Sequence, residues 1–409
     1  MGSYVTGLGA LTPLGNSVAE TWEGMVEGRS GITSITGFDP GDCPVTIGGE
    51  IRGFEPTDYM PRTEVRRTDP YARYAIAAAH QALEQAGVKP GVCPPERISV
   101  LAGSGYGTTK MDAEAVRLFD TRGARAIRPY MSTYGAVDVV TGYLSVEIGA
   151  MGESFAVSAA CASGTIVIGE AHRMIERGDA DIVVAIGAED SMSGKDLALT
   201  AATRALTSKY NDDPAAASRP FDRARDGFVL SAGAGAVVLE SESSVRRRGV
   251  TPLAEIIGYG GASDAHHVTA PHPEGLGARF AMRRALAAAG VPGDAIDYVN
   301  AHGTSTQLND RTETLAIRAE LGDRALRIPV SSTKSTTGHM IGAAGAVELI
   351  ACVKALETGL VPPTINCDDP EFPEMNHVAH TAQEHALTTV MSNSFGFGGH
   401  NAVLVVKKC

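Results

Sequence analysis

The sequence lacks any apolar run approaching the roughly 20 residues that a membrane-spanning helix needs. No membrane partner is therefore expected. Residues 1–7 lead straight into a candidate strand, without a basic region followed by an apolar core, so no signal peptide is expected. Cys43, Cys93, Cys161, Cys352, Cys367 and Cys409 are scattered with no Cys-x-x-Cys spacing. That argues against a disulfide framework or a zinc site and fits a reducing cytoplasm. Bases are in the minority, 35 Lys and Arg against 47 Asp and Glu, for a net charge of −12. Such a balance disfavours nucleic acid, whereas an acidic protein partner remains compatible if a local basic patch exists. No low-complexity segment interrupts the chain.

What is present is length and alternation. The 409 residues suffice for two core-sized units. Apolar, β-rich runs alternate with Ala-rich amphipathic segments, which predicts βαβ units and mixed or parallel sheets covered by helices. Strands are expected at residues 3–8, 98–103, 154–158, 182–187 and 234–240, and again at 253–260, 297–301, 328–332, 388–393 and 402–407. Helices are expected at 69–85, 162–177, 277–289, 313–321 and 342–358. The two series read as a duplication, with a first half at 1–248 and a second at 249–409. Residues 204–225 read as a surface loop near the site mouth.

Chemistry concentrates in three turns. Small residues flank Cys161 on both sides, in Ser158-Ala159-Ala160-Cys161-Ala162-Ser163-Gly164, between a strand and a helix start. A lone cysteine is more often buried filler. Here a substrate could reach the sulfur, and a helix N-terminus favours a thiolate able to accept an acyl group. His302 and His339 each lie in a loop with Thr and Gly neighbours, Ala301-His302-Gly303-Thr304 and Thr337-Gly338-His339. Either alone could be a core hydrogen-bonding residue. As a pair of neutral imidazoles they could hold a developing enolate oxygen. Lys334 and Glu348 bracket His339, either as a surface ion pair or as a buried pair tuning the histidines. The third turn, Asn393-Ser394-Phe395-Gly396-Phe397-Gly398-Gly399-His400-Asn401, allows close backbone approach.

Together with Val5-Thr6-Gly7-Leu8-Gly9 and Arg219-Pro220-Phe221-Asp222-Arg223, these motifs span nearly the whole chain. The chain resembles the β-ketoacyl-[acyl-carrier-protein] synthases of the thiolase superfamily, in the synthase II-like group. The resemblance implies an α/β thiolase-like fold, with two duplicated βαβ-type halves giving a layered α/β/α/β/α core. It implies an acyltransferase that condenses malonyl-carrier protein, with loss of CO2, onto an acyl group held on Cys161. By the same resemblance His302 and His339 serve decarboxylation, and Lys334 and Glu348 support them. The backbone N–H groups of Cys161 and Phe397 would form an oxyanion hole, and Phe397 would act as a gate. Thr304 and Thr306 would bind the phosphopantetheine arm. Arg66, Arg67 and Arg204 would contact the acyl carrier protein. No metal and no cofactor of the chain's own is implied, since the partner brings the phosphopantetheine.

Departures from that pattern bear on the pathway. Gln307-Leu308-Asn309-Asp310-Arg311 stands where Pro-Leu-Gly-Asp is usual, and its Asn-Asp-Arg is similar to ketosynthase subunits of bacterial type II polyketide synthases. Ser231-Ala232-Gly233 replaces Gly-Glu-Gly, and His400 stands where Thr is common. Tyr106 falls where a smaller residue often lines the acyl pocket, which implies a shortened or bent pocket. These features favour a polyketide ketosynthase for reduced or polyene chains, paired with a homologous chain-length factor. The alternative is a homodimeric synthase II of fatty-acid elongation. Either way a dimer is implied, and the strand at 154–158 is the candidate interface. A degradative thiolase would have a second cysteine in the C-terminal Gly-rich loop. A synthase III-type initiator would have Asn in place of His339, and a chain-length factor typically lacks the nucleophilic cysteine.

Overall fold

In the computed structural model, which describes residues 2–409, ten strands form one continuous sheet whose two halves repeat the same order. The strands are β1 (Ser3–Leu11), β2 (Ile98–Gly103), β3 (Ser154–Val157), β4 (Ile182–Glu189) and β5 (Gly233–Ser241), then β6 (Ala254–Ser263), β7 (Tyr298–Asn300), β8 (Val330–Ser331), β9 (Thr389–Gly396) and β10 (His400–Lys407). Across the sheet they run β3-β2-β4-β5-β1-β6-β10-β9-β7-β8. Each half thus has the order third, second, fourth, fifth, first. The first three strands of that order are parallel and the remaining two pairings antiparallel, in both halves. The halves join through a short antiparallel contact, Ser3 opposite Ile256 and Val5 opposite Ala254. The expected boundary after Arg248 falls at the end of the helix Glu242–Arg248. Met1, the first residue of the expected N-terminal half, lies outside the described residues.

The seven longest helices are α1 (Pro70–Ala86), α2 (Thr109–Arg122), α3 (Val139–Ile148), α4 (Ser163–Arg177), α5 (Leu276–Ala289), α6 (Gln307–Leu321) and α7 (Ala344–Thr358). Asp69 caps α1 by accepting the Tyr71 N–H at 3.2 Å, Pro70 occupies its first turn, and Gly87 ends it at φ +63°. Helices α1 and α3 share a buried cluster with the first-half strands, and α5 and α6 share one with the second-half strands. The cluster containing α4 and α7 takes residues from both, including Val183, Val237, Val390 and Leu404. The central layer is therefore α4 and α7, and the architecture is the expected α/β/α/β/α. Helix α7 is buried on nearly every side, as its all-round apolar sequence requires.

Some expectations need correction. Helices α2 and α3 were not foreseen. Only two residues of α2, Thr109 and Met111, are buried, so it carries little apolar periodicity to read. Helix α6 starts at Gln307 rather than 313, because Thr306 caps it by accepting the Asn309 N–H. Strand β9 extends to Gly396 and forms a tight hairpin with β10. Residues 204–225 are a loop, but Ser218, Phe221, Asp222 and Arg225 within it are buried. Arg225 donates to the carbonyls of Asp222, Thr306 and Gln307, which ties this loop beneath the His302 loop. Among the described residues no helix is long and apolar enough to cross a membrane.

Candidate active site

Strand β3 delivers the chain to Cys161 through a strained corner. Ala160 adopts φ +48°, a conformation that a non-glycine residue holds only when its surroundings fix it. Ser163 supplies that fixation, accepting the Ala159 N–H at 2.8 Å and donating to the Ala160 carbonyl at 2.7 Å. Cys161 then begins the approach to α4 with its side chain 7% exposed. Burial pushes its thiol up to about 12; the Glu189 charge adds to this, while Lys334 and the N–H groups of Phe397 and Cys161 oppose it. Desolvation thus opposes the thiolate that the helix start favours. Those two N–H groups nevertheless converge on the sulfur.

The loops after β7 and β8 carry the two histidines. Reactive atoms of Cys161, His302 and His339 all lie within 4.8 Å of one another. Lys334 Nζ is 3.2 Å from His302 Nδ1. An ammonium can only donate, so Nδ1 accepts and the proton of the neutral ring sits on Nε2. The Ile341 N–H donates to His339 Nδ1 at 3.3 Å, which assigns the same tautomer there. His339 Nε2 is buried and has no partner in the protein. Burial, reinforced by the Lys334 charge, holds both imidazoles well below their ordinary value, so both are neutral. Each therefore presents one N–H donor towards the sulfur side.

Lys334 and Glu348 form a buried ion pair, not a surface one. Of the two histidines the pair could tune, Lys334 hydrogen-bonds to His302. A further carboxylate went unforeseen. Glu313 on α6 accepts the N–H groups of His302 and Gly303, each at 2.7 Å, and so fixes the His302 loop. Burial pushes its carboxyl up to about 7. The buried face of α6 also carries Asp310, Thr312 and Thr314, so no break in an apolar pattern marks Glu313 in the sequence.

The Phe397 turn approaches the nucleophile through Gly396. A Cβ there would stand 3.0 Å from the Ala159 carbonyl oxygen and 3.1 Å from the Cys161 nitrogen, so any larger residue would press on the backbone of the Cys161 corner. A cavity of about 320 Å³ reaches this point, lined by Cys161, His302, His339 and Phe397 together with Thr304 and Thr306. The hydroxyls of Thr304 and Thr306 lie 2.9 Å apart. Arg204 lines the cavity mouth. Arg66 and Arg67 are exposed and do not line it; Arg67 pairs with Glu64 at 3.1 Å. Tyr106 also lies outside the cavity lining. It is 51% exposed, beside the end of β3, where the Ser158 hydroxyl donates to the Gly105 carbonyl at 3.1 Å.

Known proteins share both the fold and the sequence. The model of the β-ketoacyl synthase N-terminal domain matches residues 4–244, and that of the C-terminal domain matches residues 253–368. The chain is 42% identical over 406 residues to a 3-oxoacyl-[acyl-carrier-protein] synthase 2 of Staphylococcus aureus, covering 99% of this chain and 97% of that protein. Among solved structures, an ishigamide ketosynthase/chain length factor superimposes with a TM-score of 0.91 at 32% identity, covering 100% of this chain and 99% of the other. A type II polyketide ketosynthase in complex with its acyl-carrier protein gives 0.91 at 28% identity with the same coverage. The chain belongs to the β-ketoacyl synthase family of acyltransferases.

Proposed function

We propose that the chain is a β-ketoacyl-[acyl-carrier-protein] synthase that performs a decarboxylative Claisen condensation at Cys161. The observation that carries this reading is the pair of neutral Nε2–H donors beside one buried thiol. In the first half-reaction the Cys161 sulfur attacks the acyl thioester on the carrier's phosphopantetheine. The arm's sulfur leaves, and the proton of Cys161 ends on it. The N–H groups of Cys161 and Phe397 hold the transient oxyanion, a role supported by their convergence on Sγ.

In the second half-reaction malonyl-carrier protein enters the same cavity. Its thioester oxygen accepts from His302 and His339, CO2 leaves, and the resulting enolate attacks the Cys161 thioester. The product is two carbons longer and stays on the carrier, while Cys161 leaves as a thiolate and takes one proton from water to regain its thiol. Neutral imidazoles suit this work, since they donate without delivering a full proton to the enolate carbon. Lys334, held by Glu348, fixes the His302 tautomer. Thr304 and Thr306 line the passage for the arm, and Arg204, Arg66 and Arg67 offer basic contacts to the carrier. Phe397 gates the passage beside Cys161. Tyr106 limits the acyl side, where the edge strand β3 meets a partner subunit. A cytoplasmic location is supported by six unpaired cysteines.

The pathway reading is polyketide synthesis of reduced or polyene chains, with a homologous chain-length factor as partner. It is supported by Asn309-Asp310-Arg311 and by the ketosynthase superpositions. The higher identity to synthase 2 enzymes favours fatty-acid elongation by a homodimer as a second reading. Purified chain supplied with acyl- and malonyl-carrier protein distinguishes them. Elongation by the chain alone supports the homodimer, and elongation only after co-expression with a homologous subunit supports the heterodimer.

A further inference from the structure

Glu189 ends β4 as a carboxylate inside an otherwise apolar strand, and it is 0% exposed. No step of the proposed chemistry uses it. Its oxygens accept the Gly105 N–H at 2.7 Å, the Gly342 N–H at 3.3 Å and the Tyr106 N–H at 3.3 Å, and the Ser104 hydroxyl donates at 3.3 Å. These donors come from two segments far apart in sequence. The first, 104–106, carries Tyr106, and its Ser104 carbonyl accepts from Ser163, which also fixes the Cys161 corner. The second, 341–342, carries the Ile341 N–H that sets the His339 tautomer. The two segments touch at backbone level: a Cβ on Gly342 would stand 2.5 Å from the Gly105 nitrogen.

We propose that Glu189 is a positioning residue that couples the 104–106 segment behind the Cys161 corner to His339, by holding Gly105, Tyr106 and Gly342 on one carboxylate. This inference rests on the condensing function proposed above. A shift of the Tyr106 segment reaches Gly342 through the shared carboxylate, and from there the Ile341 N–H. The ionised form is the one that accepts from four donors. A protonated carboxyl carries a hydrogen that must face one of them, and so releases part of the set. Burial pushes Glu189 up to about 7, so this release falls within the working range. The titratable groups that sense its charge are Cys161, Tyr71 and Tyr106, with Asp190 next in sequence.

The test compares wild type with Glu189→Gln in the full condensation assay, from pH 5.5 to 8.5, with KM for malonyl-carrier protein determined separately. Wild-type turnover in that assay establishes the parent reading independently of Glu189. The expected result is a fall in kcat of about tenfold, a KM changed less than twofold, and loss of the limb in which wild-type kcat rises with pH near 7. A folded variant with unchanged kcat and an unchanged pH limb would overturn the proposal, as would a lowered kcat that keeps the wild-type limb, which marks a packing role only. Should Glu189→Gln fail to fold, Ser104→Ala removes one donor from the carboxylate. It is expected to move the limb to higher pH, and an unmoved limb overturns the proposal.

Discussion

Lys334 Nζ lies 3.2 Å from His302 Nδ1 while forming a buried ion pair with Glu348. One ammonium therefore fixes the His302 tautomer, and one carboxylate fixes the ammonium. Replacing Lys334 by Met removes the donor and leaves Glu348 unpaired in the interior. Decarboxylation of malonyl-carrier protein is expected to fall by about 10²-fold or more. Acyl transfer to Cys161 is expected to persist at a reduced rate. Intact-protein mass spectrometry reads both, as loss of the malonyl carboxylate and as the acyl adduct.

The Cys161 thiol sits at about 12, so about 10⁻⁵ of it is thiolate at pH 7. Cys409 is exposed and Cys43 half-buried. Iodoacetamide at pH 7 is expected to label Cys409 and Cys43 before Cys161. Labelling of Cys161 should accelerate as pH rises to 9. Peptide mapping of a time course checks this, and preferential labelling of Cys161 at pH 7 would contradict it.

Gly396 is in backbone contact with the Cys161 corner. Gly396→Ala is expected to displace the Phe397 N–H from the oxyanion position and to cut Cys161 acylation by about 10²-fold. The melting temperature should move by only a few degrees, because residues 395–398 lie at the cavity rather than in the core. Acylation rates and thermal scans of the same preparation separate the two effects.

His377 is stacked on Phe221 with ring centroids 4.5 Å apart, and burial lowers it to about 4. Between pH 6.5 and 4 the unfolded chain takes up a proton that the folded chain refuses. The contribution of His377 is thus complete above pH 6.5 and is lost as pH falls to 4, by about 3 kcal/mol in all. Asp69, at about 6, and Glu189 and Glu313, at about 7, act in the opposite sense, since their folded values are raised and their contribution is lost as pH rises. The difference between wild type and His377→Phe isolates the histidine. Urea midpoints are expected to converge at pH 7.5 and to favour the variant at pH 4.5.

Tyr106 stands half-exposed beside the end of β3. Tyr106→Ala is expected to lengthen the longest carrier-bound product by at least one two-carbon unit. An unchanged product distribution in a folded variant would remove Tyr106 from the acyl side.

Much of this was legible because local rules and long-range packing agreed. Small residues around Cys161 marked a corner with room for a substrate, and the alternation of strands and Ala-rich helices marked the duplicated layers. The sheet order itself, shared by both halves, is a matter of pairing between distant strands and leaves no local trace. Lys334 and Glu348 were legible as a pair serving the two histidines, but which imidazole the ammonium meets is set by packing, and it is His302. The helix start at Cys161 suggested a thiolate, but burial is a tertiary property and it prevails. Glu189 and Glu313 went unnoticed because neither lies in a motif. Their importance comes from the backbone N–H groups that the fold brings to them.

The most direct test of the central claim follows carrier-bound acyl chains by intact-protein mass spectrometry. Wild type, with its homologous subunit if one is required, is supplied with acyl- and malonyl-carrier protein, beside Cys161→Ala. The account predicts an acyl adduct on Cys161, then a 3-oxoacyl product two carbons longer, with one CO2 released per extension, and no extension by the variant. Extension by Cys161→Ala at a comparable rate, or an acyl adduct on another residue of the wild type, would contradict it.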